Sequence, residues 1–302
     1  MSGKQSNSKF QIPNSKLNRQ SKFSIQIFFC LLTAHCLLLT ADAQKIAVLV
    51  PEKTGHSEKF AEKFQNSLSV KFNVLDSSLS ETAFRSAAFE NSFNLSIVEA
   101  KNIGAAIGCE YFFLVKSASQ RRSSFGKEEF YESYAAVYVV SSRTGQLAVW
   151  KLQTFEAAKP EKAEKLLFDS TDNLASEIFD KLKIAAKEEL NDSAARKIEE
   201  VPDKTAPDAK NYRPPLPYKR FKPEYTRLAY IYDVKATIDI LVDINETGAI
   251  LRTEIVRWAG YGLDESVTET VRRMNWRPAE KNGKTLPMRV LLRYNFKEVE
   301  KE

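Results

Sequence analysis

A chain of 302 residues with 43% hydrophobic, 28% charged and 11% aromatic residues has room for two ordinary domains and is too apolar to be intrinsically disordered. Its formal charge of +6 is concentrated at the start: Lys4, Lys9, Lys16, Arg19 and Lys22 face only Asp42 within residues 1–43, so the remainder carries only +2. That near balance excludes a global charge argument for nucleic acid or an acidic membrane surface as partner.

The basic start runs into FSIQIFFCLLTAHCLLLT and then Ala41-Asp42-Ala43 before Gln44. A positive leader, an apolar run and small residues form the pattern of a secretory signal, with cleavage expected between Ala43 and Gln44. The same run also suits an uncleaved anchor, since Phe23 to Thr40 would span roughly 27 Å as a helix at about 1.5 Å per residue. Both readings put the rest of the chain outside the cytoplasm, because the positive end stays inside. Without the leader, Cys109 is the sole cysteine and His56 the sole histidine. A lone thiol closes no internal disulfide, one His and one Cys build no zinc site, and His-assisted nucleophilic chemistry would rest on His56 alone. The residues therefore point to no catalytic group, no metal and no cofactor.

Residues 45–190 read as a mixed α/β domain. KIAVLV is a strand ended by Pro51, and SEKFAEKFQNSLSVKF is a helix with Phe60, Ala61, Phe64 and Leu68 on its buried face. FNVLD is a short strand, and ETAFRSAAFE and SIVEAKNIGAAIG are helices, the second closed by Gly108. CEYFFLVKSAS follows as a strand, then FYESYAAVYVVSS and QLAVWKLQTFEA form a hairpin about Arg143-Thr144-Gly145. EKAEKLLFDSTDNLASEIFDKLKIAAKEE is expected to close the domain as one long helix with Leu167, Leu174, Ile178 and Leu182 on one side. Residues 191–222, with Pro202, Pro207, Pro214, Pro215 and Pro217, read as an extended, semi-rigid linker.

Residues 223–298 form the second unit. DVKATIDILVDI alternates, with Val234, Ala236, Ile238, Ile240, Val242 and Ile244 on one face. NETG turns the chain into AILRTEIVRW. LDESVTETVRRM is a helix with acids in its first turn and Arg272 and Arg273 in its last, which suits the helix dipole. Asn282-Gly283 is a turn, and MRVLLRYNF is the last strand, with Met288, Val290, Leu292, Tyr294 and Phe296 inward. The order strand, strand, helix, strand predicts a small sheet with a helix on one side, so the whole chain is α+β.

The alternating strand, the Asp243-to-Gly248 turn, GYGLDESVTETVRRMNWRPA, the Asn-Gly-Lys turn and the closing strand together resemble the TonB C-terminal domain. The resemblance implies a β-β-α-β fold and a periplasmic protein that binds others. Its implied partners are an outer-membrane transporter or other envelope protein and, for the best-known members, inner-membrane motor proteins. It implies that a partner peptide is added as a strand at the edge of the small sheet, a mode that needs backbone groups and no catalytic side chain. Arg289, Leu291, Arg293 and Asn295 face away from the core on the last strand; if that strand is the free edge its backbone is the peptide site, and the alternative is a structural edge alone. The resemblance also implies a peptide grip at Glu224 and Tyr225, although Glu224 stands where those members have Gln and Thr226 where Pro is frequent. An exposed edge equally suits strand pairing between two copies, a homodimer. The alternative is a soluble envelope scaffold or assembly factor without a motor. Residues 45–190 are similar to TolB amino-terminal and curli-secretion-type domains at IGCEY and TGQLAVW, which implies an envelope interaction domain.

Four further groups are candidate sites. Thr54-Gly55-His56 lacks the spacing of a phosphate loop and reads as an ordinary helix start. Cys109 reads as a buried structural thiol. Phe130, Tyr134 and Tyr138, with Trp150, read as packing residues ahead of a ligand surface. Arg272, Arg273 and Arg277 around Trp276 read as helix-end charges over a core aromatic rather than a nucleic-acid patch.

Overall fold

The computed structural model describes residues 43–124, 126–191, 198–202 and 211–297. The apolar run after Gln44 is β1 (Lys45–Leu49), followed by α1 (Gly55–Ser69), β2 (Asn73–Val74), α2 (Ser77–Ser86), α3 (Ile97–Ile107), β3 (Tyr111–Ser124), β4 (Lys127–Ser141), β5 (Leu147–Ala157), α4 (Pro160–Asp169) and α5 (Thr171–Asn191). The strands make one sheet in the order β2-β1-β3-β4-β5, with β1 parallel to both its neighbours and the remaining pairs antiparallel. Local chemistry sets the helix ends. The Thr54 hydroxyl accepts from the Ser57 N–H at the start of α1, Ser96 and Glu99 form a reciprocal capping box on α3, and Gly108 closes α3 at φ 77°.

The expected single helix over 161–189 is two. Ser170 ends α4, its hydroxyl donating to the Leu167 carbonyl at 2.7 Å, and the Thr171 hydroxyl donates to the Phe168 carbonyl at 3.0 Å. Hydroxyls that take over helix carbonyls compete with helix continuation, and the apolar spacing is the same on both sides of the break.

The second unit holds α6 (Arg227–Ile231), β9 (Ala236–Ile244), β10 (Ile250–Arg257), α7 (Leu263–Arg272) and β14 (Met288–Phe296). Between α7 and β14 lie β11 (Trp276–Arg277), β12 (Ala279–Lys281) and β13 (Lys284–Leu286). The fold is thus α+β, with helices and strands in both units. Where it is described, the segment expected as a linker is pinned rather than free. Its β6 (Glu199–Glu200) runs parallel to β14, β7 (Tyr212–Arg213) pairs with β12, and β8 (Leu216–Pro217) pairs with β11. Short pairings of this kind carry no hydrophobic period, so the proline-rich composition dominated the sequence reading.

The first sheet is buried on both faces. Ile46, Val48, Phe113, Val115, Val137 and Val139 face Phe60, Phe64 and Leu68 of α1 and Leu167, Leu174, Ile178 and Leu182 of α4 and α5. The opposite face, with Leu49, Phe112, Leu114, Tyr138 and Val140, belongs to one cluster with Ile238, Ile240, Val242, Trp258, Tyr261 and Val267 of the second unit. From Ala43 onward the chain is accordingly one compact body. Trp258 is 1% exposed, and its Nε1–H donates to the Gly145 carbonyl at 3.2 Å. Asn94 donates to the carbonyls of Thr237 at 2.8 Å and Trp258 at 2.7 Å. Gly260 has φ 72° and lies so close to the indole of Trp150 that a Cβ would come within 2.6 Å of it, so the joint needs glycine there.

Candidate functional site

β9 lies between β10 and β14 in the second sheet, whose order is β10-β9-β14-β6. It pairs with β14 along the whole of Met288–Phe296. On the other side of β14 only its first two residues, Met288 and Arg289, pair with β6. The N–H of Val201 donates to the carbonyl of Arg289 at 3.2 Å, so the backbone groups of Arg289 point to the outer edge. Strand backbone alternates with period two, which directs those of Leu291, Arg293 and Asn295 outward as well. Among the described residues no strand covers that part of the edge.

The side chains of these four residues lie on the sheet face opposite α7, and the register arranges that face in rows. Arg252, Asp243 and Arg289 form one row across β10, β9 and β14, Glu254, Leu241 and Leu291 the next, and Arg257, Asp239 and Arg293 the third. A bulge between Ile255 and Arg257 brings the second β10 arginine opposite Asp239. Asp239 and Asp243 are 5% and 4% exposed, and each receives a side-on fork. Arg293 donates from Nε at 2.7 Å and Nη2 at 2.9 Å to Asp239, and Arg289 from Nε at 2.6 Å and Nη2 at 2.9 Å to Asp243. These hydrogen bonds hold both guanidinium groups above their usual pKa. The sequence reading had the arginines but not their acceptors. Asp-x-x-x-Asp in one strand and Arg-x-x-x-Arg in its partner was the available signal, because equal spacing aligns the pairs across an antiparallel ladder.

Tyr225 stacks on Phe296, with ring centroids 6.1 Å apart, which places Glu224 and Tyr225 beside the end of β14. The Tyr225 hydroxyl is within 2.9 Å of the Val234 carbonyl and 3.2 Å of the Ala229 carbonyl, so its donor is already used inside the fold. Glu224 is exposed, and its carbonyl accepts from the Ser266 hydroxyl at 2.9 Å. Ala43 is the first described residue, and the Gln44 carbonyl accepts from the Asn73 N–H at 3.0 Å. The leader before it lies outside the described residues.

The other candidate groups have partners within the fold or pack in its core. The Thr54 side chain takes the helix N–H that an anion would use. His56 Nδ1 is 3.0 Å from the Ser117 hydroxyl, which donates to the Tyr134 carbonyl, and burial lowers the imidazole pKa. Cys109 is buried and its thiol is pushed up by burial. Tyr134 and Tyr138 face the second unit, with Tyr134 against Tyr232 at 4.8 Å and Tyr138 against Trp258 at 5.8 Å. Trp276 is 3% exposed. Sequence reasoning missed Asp264. It accepts from the N–H groups of Gly260 at 2.8 Å and Ala259 at 3.0 Å, and burial still lifts its carboxyl to about 7. Among the described residues no group of acids, histidines and cysteines could hold a metal ion, and no helix is long and apolar enough to cross a membrane.

Residues 222–297 match the family described as Gram-negative bacterial TonB protein C-terminal. No curated protein matches the chain. Among solved structures, a TonB C-terminal domain from Pseudomonas aeruginosa is 18% identical over 33% of this chain and 94% of its own, with a TM-score of 0.25. Lipoprotein GNA1162 from Neisseria meningitidis is 12% identical over 45% of this chain and 99% of its own, at 0.32. The LpoB C-terminal domain from Salmonella enterica is 14% identical over 41% and 92%, at 0.25.

Proposed function

We propose that this chain, with its TonB-type carboxyl-terminal region, is a periplasmic protein-interaction protein that takes an extended segment of another envelope protein as an added strand on β14. The observation that carries this reading is the outer edge of Leu291, Arg293 and Asn295, whose backbone groups point away from β9 beyond the two residues that β6 covers. Each backbone hydrogen bond contributes about 0.5–1.5 kcal/mol net, so a handful of them, less ordering costs, supports binding around micromolar or weaker. Exposed Glu224, near the end of the edge, is available to the far end of such a segment. In the finer form of this reading the partner is an outer-membrane transporter and the chain passes on energy from an inner-membrane motor. Export uses the leader, with cleavage at Ala43–Gln44 or retention as an anchor.

A specific observation favours a second form, an envelope scaffold or assembly factor without a motor. The carboxyl-terminal sheet shares its core with the first sheet instead of riding on a free spacer. Pairing of the same edge between two copies would make a homodimer.

The test is a photo-cross-linking residue at Asn295 in the native envelope, with and without Leu291→Pro. Leu291 is 50% exposed and its N–H points outward, so proline removes one edge donor and leaves the β9 ladder intact. Capture of an envelope protein should disappear in the proline variant at an unchanged thermal midpoint. Capture that survives proline removes β14 as the site, and the identity of the captured protein separates the transducer from the scaffold.

A further inference from the structure

The two Arg–Asp–Arg rows differ in one respect. In the row of Asp243, Arg252 lies 3.4 Å from Glu254, and Nη1 of Arg289 lies 4.0 Å from the carboxylate of Glu200 on the neighbouring β6 strand. In the row of Asp239, Arg257 lies 3.1 Å from Glu99, while Arg293, whose Nε and Nη2 are committed to Asp239, has no carboxylate at Nη1 among the described residues. Both arginines thus use the same two nitrogens for the strand inside them and leave the same third nitrogen for a strand outside them. For Arg289 that outer strand is present. For Arg293 none is present among the described residues, and its side chain is 58% exposed, against 19% for Arg289.

We infer that the strand accepted by β14 is acidic, runs parallel to it, and sets a carboxylate against Arg293 and an apolar side chain against Leu291. This rests on the edge reading above and adds the chemistry of the occupant. β6 is the internal pattern for it: Glu200 is the Cα partner of Arg289 in a parallel pairing, and a strand that continues this register reaches Leu291 two residues later and Arg293 four residues later. Parallel neighbours in register point their side chains to the same face, so an alternating apolar-x-acid segment meets Leu291 and Arg293 together. In the chain's own sequence the residue four after Glu200 is Lys204, a cation where Arg293 calls for an acid. The chain's own segment therefore supplies the first acid and leaves the second position to the partner.

The experiment uses the chain from Gln44 onward and three synthetic labelled peptides, Thr-Val-Thr-Leu-Thr-Glu-Thr-Val and its Gln and Lys versions at the sixth position, in fluorescence anisotropy at low and at moderate salt. The Glu peptide should bind about two- to fivefold tighter than the Gln peptide and the Lys peptide weakest, with the order compressed by salt. Arg293→Gln should abolish the Glu-over-Gln preference. The comparison of peptides on the unaltered protein stands even where that variant is less stable. Equal binding of the three peptides, or a Glu preference that persists in Arg293→Gln, overturns the charge rule and leaves the edge reading intact. Failure of every peptide to bind overturns the edge reading and this inference with it.

Discussion

Asp264 shows what a single side chain contributes at the joint of the two sheets. Burial disfavours its anion, and the two backbone N–H groups offset this only in part, so its carboxyl sits at about 7 in the fold against about 3.9 in an unfolded chain. The folded protein therefore holds the proton more tightly. Stability is full below about pH 4 as far as this group is concerned, and it declines as pH rises through the window up to about 7. The span corresponds to a few kcal/mol at most, on the order of 4. Asp264→Asn keeps an acceptor oxygen for Gly260 and loses the charge. Thermal midpoints between pH 5 and 8 should be flatter for the variant than for the parent, and parallel curves would show that the carboxylate is better solvated than the geometry implies. His56 acts with the opposite sign: burial lowers its pKa, so its penalty appears as pH falls through the ordinary imidazole value.

At the scale of one element, β14 combines three tasks because its alternation separates them. Its even-numbered side chains, including Met288, Leu292 and Phe296, enter the core, its odd-numbered backbone groups face the edge, and its odd-numbered side chains hold two buried carboxylates. The second task uses backbone groups and the third uses Nε and Nη2 of the two arginines. Arg289→Leu leaves Asp243 buried beside a single remaining row arginine and should cost about 2–4 kcal/mol, near the range for breaking a buried pair. Adding Asp243→Leu should recover most of that loss, since two apolar residues replace a buried charge pair at little cost. Urea midpoints of the two variants decide it. A double variant no more stable than the single one would show that the row is needed for register as well as charge.

For the whole molecule the shared core predicts one cooperative unit from Ala43 onward. Trp258 belongs to the second unit by chain position and to the first sheet by contact, since it packs on Tyr138 and bonds to Gly145. Trp258→Ala removes a fully buried indole and should cost about 3–5 kcal/mol. Hydrogen exchange should then show amides of β1 and β3 losing protection together with those of β9 and β14. Loss confined to the second sheet would mean that the two units open separately.

The sequence by itself determined each element whose period and ends are local. The alternation in β9 and β14, the helical spacing of α1 and α7, the capping box on α3 and the Asn-Gly turn are short-range consequences of side-chain direction and backbone stereochemistry, legible without a partner. The candidate edge does not belong to this set, because the strand order β10-β9-β14-β6 decides which side of β14 lies open beyond β6. Only the tertiary structure decided what each buried face is buried against. Tyr134, Tyr138 and Trp150 announce a covered face, and nothing in their spacing says that the cover is the second unit. Glu199 and Glu200 read as polar linker until β14 lies beside them, and Asp239 and Asp243 read as solvent-facing until Arg257, Arg289 and Arg293 pair with them. Burial and electrostatics sum over neighbours that are distant in sequence, so the meaning of these residues was set by the fold that brought them together.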